Sequence, residues 1–331
     1  MSEGSLIEVE DLHVRFDLFE GLSHVLKGVG ITIRNGERIG LVGESGCGKS
    51  LLARCILGLL EQRNVRIEGA IRYHGRDLFA MRGSEWRDLR GRRITMIFQD
   101  PTTALNPVFT IADQMVEVIQ RGGNRKRKRE EALDIAREAL RRVFIDDPDR
   151  VLRSYPFQLS GGMAQRVIIT MALANDPELV LADEPGTSLD VTVQEQTLRL
   201  MATLTQEAGA AVLLIAHNLG VVREFCERLY VMYGGTIVEE GSVEEIFNEP
   251  LHPYTQALFG AVPRLWGGDL PKAIEGMVPD YTQAPEGCRF HPRCPHAKPE
   301  CKSAPPWVEL GKGRGVRCVL FEDAARPVAH A

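Results

Sequence analysis

Three segments of this sequence carry residues whose types and spacing could do chemistry on a phosphate. Gly43-Glu44-Ser45-Gly46-Cys47-Gly48-Lys49-Ser50 fits the pattern G-x-x-x-x-G-K-[ST], with Leu51 next in the chain. Its glycines let backbone N–H groups curl around phosphate oxygens. Lys49 brings a point charge to the β and γ phosphates, and the Ser50 hydroxyl can ligate Mg2+. Cys47 reads as a small loop residue rather than a redox thiol. Leu179-Val180-Leu181-Ala182-Asp183-Glu184 is an apolar run ending in two carboxylates. Asp183 can hold Mg2+, directly or through water, and Glu184 can polarise an attacking water. Leu159-Ser160-Gly161-Gly162-Met163-Ala164-Gln165-Arg166 reads as a helix start, whose N–H groups suit an anion and whose Ser160 suits a cap.

A different chemistry is written near the end. Cys288, Cys294, Cys301 and Cys318 follow the spacing C-x5-C-x6-C-x16-C, while Cys47, Cys55 and Cys226 are scattered. The N-terminus has neither the basic start nor the apolar core of a secretory signal, so the expected compartment is reducing. The cluster therefore reads as a metal site before it reads as disulfides. Four thiolates on irregular, proline-rich chain suit tetrahedral zinc or a [4Fe–4S] cluster, and the spacing does not separate them. His291 and His296 lie between these cysteines but are not needed, because four thiolates complete the coordination.

The elements that must position these residues follow from the pattern around them. Glu37–Val42 is a short apolar strand, and residues 49–60 have helical length, so the glycine loop sits between strand and helix. Residues 67–79 predict a hairpin and 93–98 a strand. Helical pattern runs over about 105–175, and strands return at Leu179–Ala182 and Ala211–Ala216 around a helix near 190–208. Such alternation predicts a largely parallel sheet covered by helices. Ser242 with Glu245 makes a capping box before a short helix. Prolines concentrate from Pro250 to Pro306 and periodicity fades there, which places a boundary near 250. The basic run Arg125–Arg129 reads as the solvated start of a helix.

Composition narrows the classes. The chain has 331 residues, 44% hydrophobic and 26% charged, with net charge −5, which excludes a mainly disordered chain. The longest apolar run, Ala210–Ala216, is far short of the roughly 20 residues of a membrane-spanning helix. The slight acidity argues against a general nucleic-acid binder.

The glycine loop, Gln99 in IFQDP, the LSGGMAQR stretch, the Asp183-Glu184 strand end and His217 closing the next strand occur in the order of the ATP-binding cassette ATPases. Residues 5–250 resemble that family. The resemblance implies an α/β fold: a P-loop NTPase of the ABC type, with an antiparallel β subdomain, a helical subdomain and an irregular cysteine-rich extension. It divides the chain into an ATPase domain, 1–250, and an extension, 251–331. It implies that Gly43 to Leu51 bind ATP, that Ser50, Gln99 and Asp183 serve Mg2+, and that Glu184 is the general base. His217 would contact the γ-phosphate, and Gln99 would also touch the attacking water. Phe16 would stack on adenine, with Phe19 the competing aromatic. Ser160, Gly161, Gly162 and Gln165 would contact nucleotide, Ser160 and Gly162 completing the site of a second ATPase set head-to-tail. Ser188-Leu189-Asp190 resembles the loop coupling two such sites. Two departures stand out. Asn218 follows the histidine where the family has Asp, and Gly186 stands where a Thr is more usual.

Ala104-Leu105-Asn106-Pro107, His252-Pro253-Tyr254-Thr255 and the four cysteines resemble one branch, the dipeptide, oligopeptide and nickel importers. In it, two different ATPases pair beneath two permease subunits, and an extracytoplasmic binding protein delivers the substrate. The resemblance implies attachment to the cytoplasmic face of the cell (inner) membrane through those partners, with no nucleic-acid partner. It favours the iron–sulfur cluster over zinc. Nickel or sugar cargo, and a soluble ABC ATPase, are the alternative readings.

Overall fold

The computed structural model describes residues 4–60, 63–122, 127–186, 190–261, 274–311 and 313–325. Ser188, Leu189, Arg125 and Lys126 fall outside them. The chain folds as two compact units. One gathers Met1–Ile33, Ile39–Phe79 and Ala216–Ala331; the other gathers Arg34–Arg38 and Ala80–Ile215.

In the first unit, Ser5–Leu18 and Gly21–Arg34 are long strands. With Val65–Tyr73 and Arg76–Asp77 they form a four-stranded sheet. Ser5–Leu18 pairs antiparallel with Val65–Tyr73 and turns its register between Glu10 and His13. Leu6, Ile7, Val9, Leu12 and Val14 are buried in it. A second run of strands orders Val308–Glu309, Gly315–Val316, Thr236–Ser242, Arg228–Tyr233 and Arg38–Val42. Arg38–Val42 runs parallel to Arg228–Tyr233, and the other pairs are antiparallel. Ile39, Leu41, Val42, Leu229, Val231 and Met232 are all fully buried. That two-sided burial explains why the strand before the glycine loop ends in apolar residues on both faces, Leu41 and Val42.

In the second unit, Ile94–Ile97, Leu179–Asp183 and Ala211–Ile215 lie parallel, with Leu179–Asp183 between the other two. The expected helical stretch contains Ile111–Gly122, Arg129–Arg142, Pro148–Arg153 and Gly161–Leu173. Ile111, Met115 and Ile119 recur at helical spacing and are buried, as are Ala132, Ala136 and Leu140 of the following helix. Val191–Glu207 supplies the helix between the last two strands.

The Ser242 capping box opens the helix Val243–Asn248, Ser242 and Glu245 each accepting the other's backbone N–H. Beyond residue 250 the structure adds a helix that periodicity did not suggest, Pro253–Gly260, capped by the His252 side chain. Among the described residues no helix is long and apolar enough to cross a membrane.

Candidate functional site

The glycine loop lies in the first unit. Gly43 follows the strand Arg38–Val42, and a Cβ there would come within 2.1 Å of the Met232 carbonyl oxygen. Gly48 has φ 106°, and a Cβ there would meet Leu26 at 2.6 Å. Both positions therefore require glycine, one for close approach and one for its left-handed backbone as well. Gly48 caps the helix Lys49–Ile56 without a side chain, so no side chain competes for the first-turn N–H groups that would face an anion. Lys49 is nearly buried. Its ammonium donates to the carbonyls of Gly43 at 2.8 Å and Glu44 at 3.0 Å, which keeps the loop curled around its own charge. Cys47 is fully buried, and burial raises its thiol pKa, in keeping with a packing role.

The same unit holds His217 and the two aromatics. His217 is exposed just past the strand Ala211–Ile215. Asn218 caps the helix Leu219–Phe225, accepting from the N–H of Gly220 at 3.0 Å and of Val221 at 3.5 Å. The departure from Asp thus keeps the capping hydrogen bonds and gives up only a charge. Phe16 is half-buried opposite Val65, while Phe19 is fully exposed at the turn between the long strands.

The second unit brings Gln99 and Glu184 together. Gln99 Nε2 donates to Glu184 Oε2 at 2.9 Å. Asp183 is buried as the last residue of its strand. Glu184 then takes φ 48°, a left-handed backbone that costs a side-chain-bearing residue about 1–2 kcal/mol. Its N–H still donates to Ile215 O at 2.9 Å. The kink ends the strand between the two carboxylates, leaving one inside and the other half-exposed beside Gln99.

Ser160 caps Gly161–Leu173, its hydroxyl accepting from Met163 N–H at 3.3 Å. Gly161 begins that helix, and a Cβ on Gly162 would touch Val193 at 3.1 Å. Gln165, one turn beyond Gly161, is fully buried, and among the described residues neither of its side-chain polar atoms has a hydrogen-bond partner.

The four cysteines lie in the first unit. Cys288, Cys294, Cys301 and Cys318 line one pocket, together with His252, His291, His296 and Phe290. None forms a disulfide. Burial pushes the Cys288 thiol up to about 11 and also raises Cys294 and Cys318, so binding a metal there must release protons. His252 was not expected at the pocket. It is buried, and burial holds its pKa down at about 3. Its Nδ1 accepts from Tyr254 N–H at 3.0 Å, which leaves the proton on Nε2, and among the described residues Nε2 has no partner. A buried N–H without an acceptor is costly. Four thiols and an orphaned donor around one pocket fit a group that takes thiolate ligands and presents sulfur acceptors. Among the described residues, no three His, Cys, Asp or Glu side chains are arranged to hold a single metal ion.

Sequence reasoning missed two arginines. Arg289 is buried, and donates to the carbonyls of Val25 at 3.1 Å and His24 at 2.6 Å, and to that of Gly234. Burial lowers its pKa to about 10. Arg293 pairs with Glu44 of the glycine loop at 2.8 Å. Most of these partners lie more than 200 positions away, where no local pattern could announce them.

Residues 26–187 match the family model described as ABC transporter, and residues 238–301 match that described as oligopeptide/dipeptide transporter, C-terminal region. The chain is 46% identical to a "probable peptide ABC transporter ATP-binding protein" of Sinorhizobium fredii, over 95% of this chain and 94% of the relative. It is 43% identical to an oligopeptide transport ATP-binding protein of Bacillus subtilis, over 96% and 98%. It is 40% identical to a dipeptide transport ATP-binding protein of Escherichia coli, over 98% and 99%. Among solved structures, a dimeric ATP-binding cassette bound to ADP and phosphate aligns with TM-score 0.64 at 28% identity, covering 72% of this chain and 98% of that one. With relatives this similar over nearly its whole length, the chain belongs to the ABC transporter ATPase family, as a cassette joined to the C-terminal region of oligopeptide and dipeptide transporters.

Proposed function

We propose that this chain is the ATP-hydrolysing subunit that powers a binding-protein-dependent importer of di- or oligopeptides. What carries the reading is a curled glycine loop and a Gln99–Glu184 pair in a chain that peptide-transport ATP-binding proteins match along almost its full length. Residues 1–250 act as the ATPase domain and 251–331 as the extension. A second, different ATPase subunit, two permease subunits and an extracytoplasmic binding protein are the partners. The chain sits on the cytoplasmic face of the membrane, held there by the permeases.

The residues divide the work as follows. The N–H groups of Gly43 to Leu51 and the Lys49 ammonium hold the phosphates, and Ser50, Gln99 and Asp183 hold Mg2+, which when bound offsets phosphate charge. Glu184 takes a proton from the attacking water, which Gln99 orients. His217 contacts the γ-phosphate, and an aromatic, Phe16 or Phe19, stacks on adenine. Ser160 and Gly162 complete the site of the second ATPase. ATP binding closes the head-to-tail dimer and hydrolysis reopens it, a change driven by different affinities for the two states. Cys288, Cys294, Cys301 and Cys318 hold a [4Fe–4S] cluster that staples the extension; their shared pocket and the orphaned His252 donor support this over zinc.

A tagged pull-down from gently solubilised native membranes tests the assignment. Recovery of a second cassette ATPase, two multi-span subunits and a peptide-binding protein is the expected result. Recovery of soluble partners alone would overturn the transport role.

A further inference from the structure

The extension reaches into the glycine loop itself. Glu44, the second residue of the loop, is held at three points by residues from beyond position 232. Arg293 Nη1 donates to Glu44 Oε2 at 2.8 Å and Nη2 to Oε1 at 3.1 Å, a two-pronged ion pair. The Tyr254 hydroxyl accepts the Glu44 backbone N–H at 2.8 Å. Two residues on, the Tyr281 hydroxyl donates to Gly46 O at 2.8 Å.

Arg293 is itself firmly seated. Its side chain is only 6% exposed. Nε donates to Glu275 O at 2.8 Å, Nη2 to Ile274 O at 3.1 Å and Nη1 to the Tyr233 hydroxyl at 3.2 Å. With the two bonds to Glu44, every N–H of the guanidinium has an acceptor. Tyr233 and Tyr254 pack on each other and on Phe290, with ring centroids 4.5, 5.0 and 5.4 Å apart. Phe290 lines the cysteine pocket, and Arg293 directly precedes Cys294.

A phosphate-binding loop works by presenting N–H groups that already point inward. Any ordering left to the moment of binding is subtracted from affinity. The loop's inner side is fixed by Lys49, and its outer side by this arginine and two tyrosines. We propose that Arg293 is a positioning residue for nucleotide: through Glu44 it holds the phosphate loop in its binding shape, so the cysteine-bearing extension forms part of the support of the ATP site. This rests on Gly43–Ser50 being the phosphate loop. Because coupling is reciprocal, nucleotide in the loop also steadies Arg293 and the neighbouring Cys294.

The test measures binding of a fluorescent ATP analogue with Mg2+ to the full-length chain, and kcat and KM for ATP. Arg293→Met is expected to raise Kd and KM about tenfold with a smaller change in kcat, the mark of lost ground-state binding. Arg293→Lys, which cannot make both prongs, falls between. Glu44→Gln gives the same effect from the loop side, and reads the pair even if Arg293→Met folds poorly. The double variant is no worse than either single one, because both remove one contact. Unchanged affinity in Arg293→Met and Glu44→Gln, or fully additive losses, would overturn the inference. Lys49→Ala separates the two layers: if it too binds nucleotide normally, the phosphate-loop reading fails; if it alone loses binding, only the role of Arg293 fails.

Discussion

Replacing Glu184 by Gln isolates the base from everything else the residue does. The left-handed backbone at φ 48° costs Gln what it costs Glu, so the fold has no reason to change. An amide oxygen at the same place still accepts from Gln99 Nε2, now as a neutral hydrogen bond in place of the 2.9 Å charge-assisted one. The side chain is half-exposed, so this weakening costs well under about 1 kcal/mol. What disappears is the ability to take a proton from water. General-base catalysis contributes about 10²–10⁴-fold, or about 3–5 kcal/mol at 1.36 kcal/mol per decade. ATP turnover should therefore fall at least a hundredfold in a phosphate-release assay, while binding of the fluorescent analogue and the unfolding midpoint stay near wild type. Turnover within a few-fold of wild type would mean that the proton goes elsewhere. A large loss of stability would mean that Glu184 is a structural residue.

Three further outcomes are expected. Protein purified without oxygen should be brown, with about four irons per chain, and Cys301→Ser should abolish the colour; colourless protein carrying one zinc would refute the cluster. Asn218→Ala should destabilise the Leu219–Phe225 helix by about 1 kcal/mol in urea unfolding, whereas Asn218→Asp should match wild type or exceed it, an N-terminal anion being favourable. His24 is held at about 4, first by burial and then by the nearby Arg15, Arg289, His13 and Lys27. Its folded pKa lies below its unfolded value near 6.5, so the unfolded state binds more protons between them. The contribution is complete above about pH 6.5 and is lost as pH falls toward 4. Urea midpoints measured from pH 7 to 4 should drop less steeply for His24→Gln; an equal slope would show that His24 does not contribute.

The chemistry of this chain was legible wherever function is written as a local pattern. Gly43, Gly48 and Lys49 lie close together in sequence, and the need for glycine at the first two follows from local backbone geometry. The strand Leu179–Asp183 announces itself because both of its faces are buried. The contacts that surround the loop were not legible, because Glu44 and Arg293 meet only after the intervening chain has folded. The burial of Gln165 was not legible for a related reason: motif spacing gives its place on the helix but not which side the core covers. The φ of Glu184 was invisible because the sequence holds no glycine there to mark the bend. His252 was noticed only within a motif, and its tautomer depends on a bond from Tyr254 N–H that only the helix start creates.

The short strand Gly315–Val316 pairs with the outer side of Thr236–Ser242 at Glu239 and Glu240, and Val308–Glu309 pairs in turn with Gly315–Val316. Without them that strand would present a row of open N–H and C=O groups, an invitation to pair with another chain. Gly315 is held to glycine by Trp307, whose indole would lie 2.2 Å from a Cβ. Shortening the chain before residue 308 would therefore do more than delete an appendage: it would make a sticky subunit, prone to stack edge to edge, and place a lower limit on how far this end could be trimmed without loss of solubility.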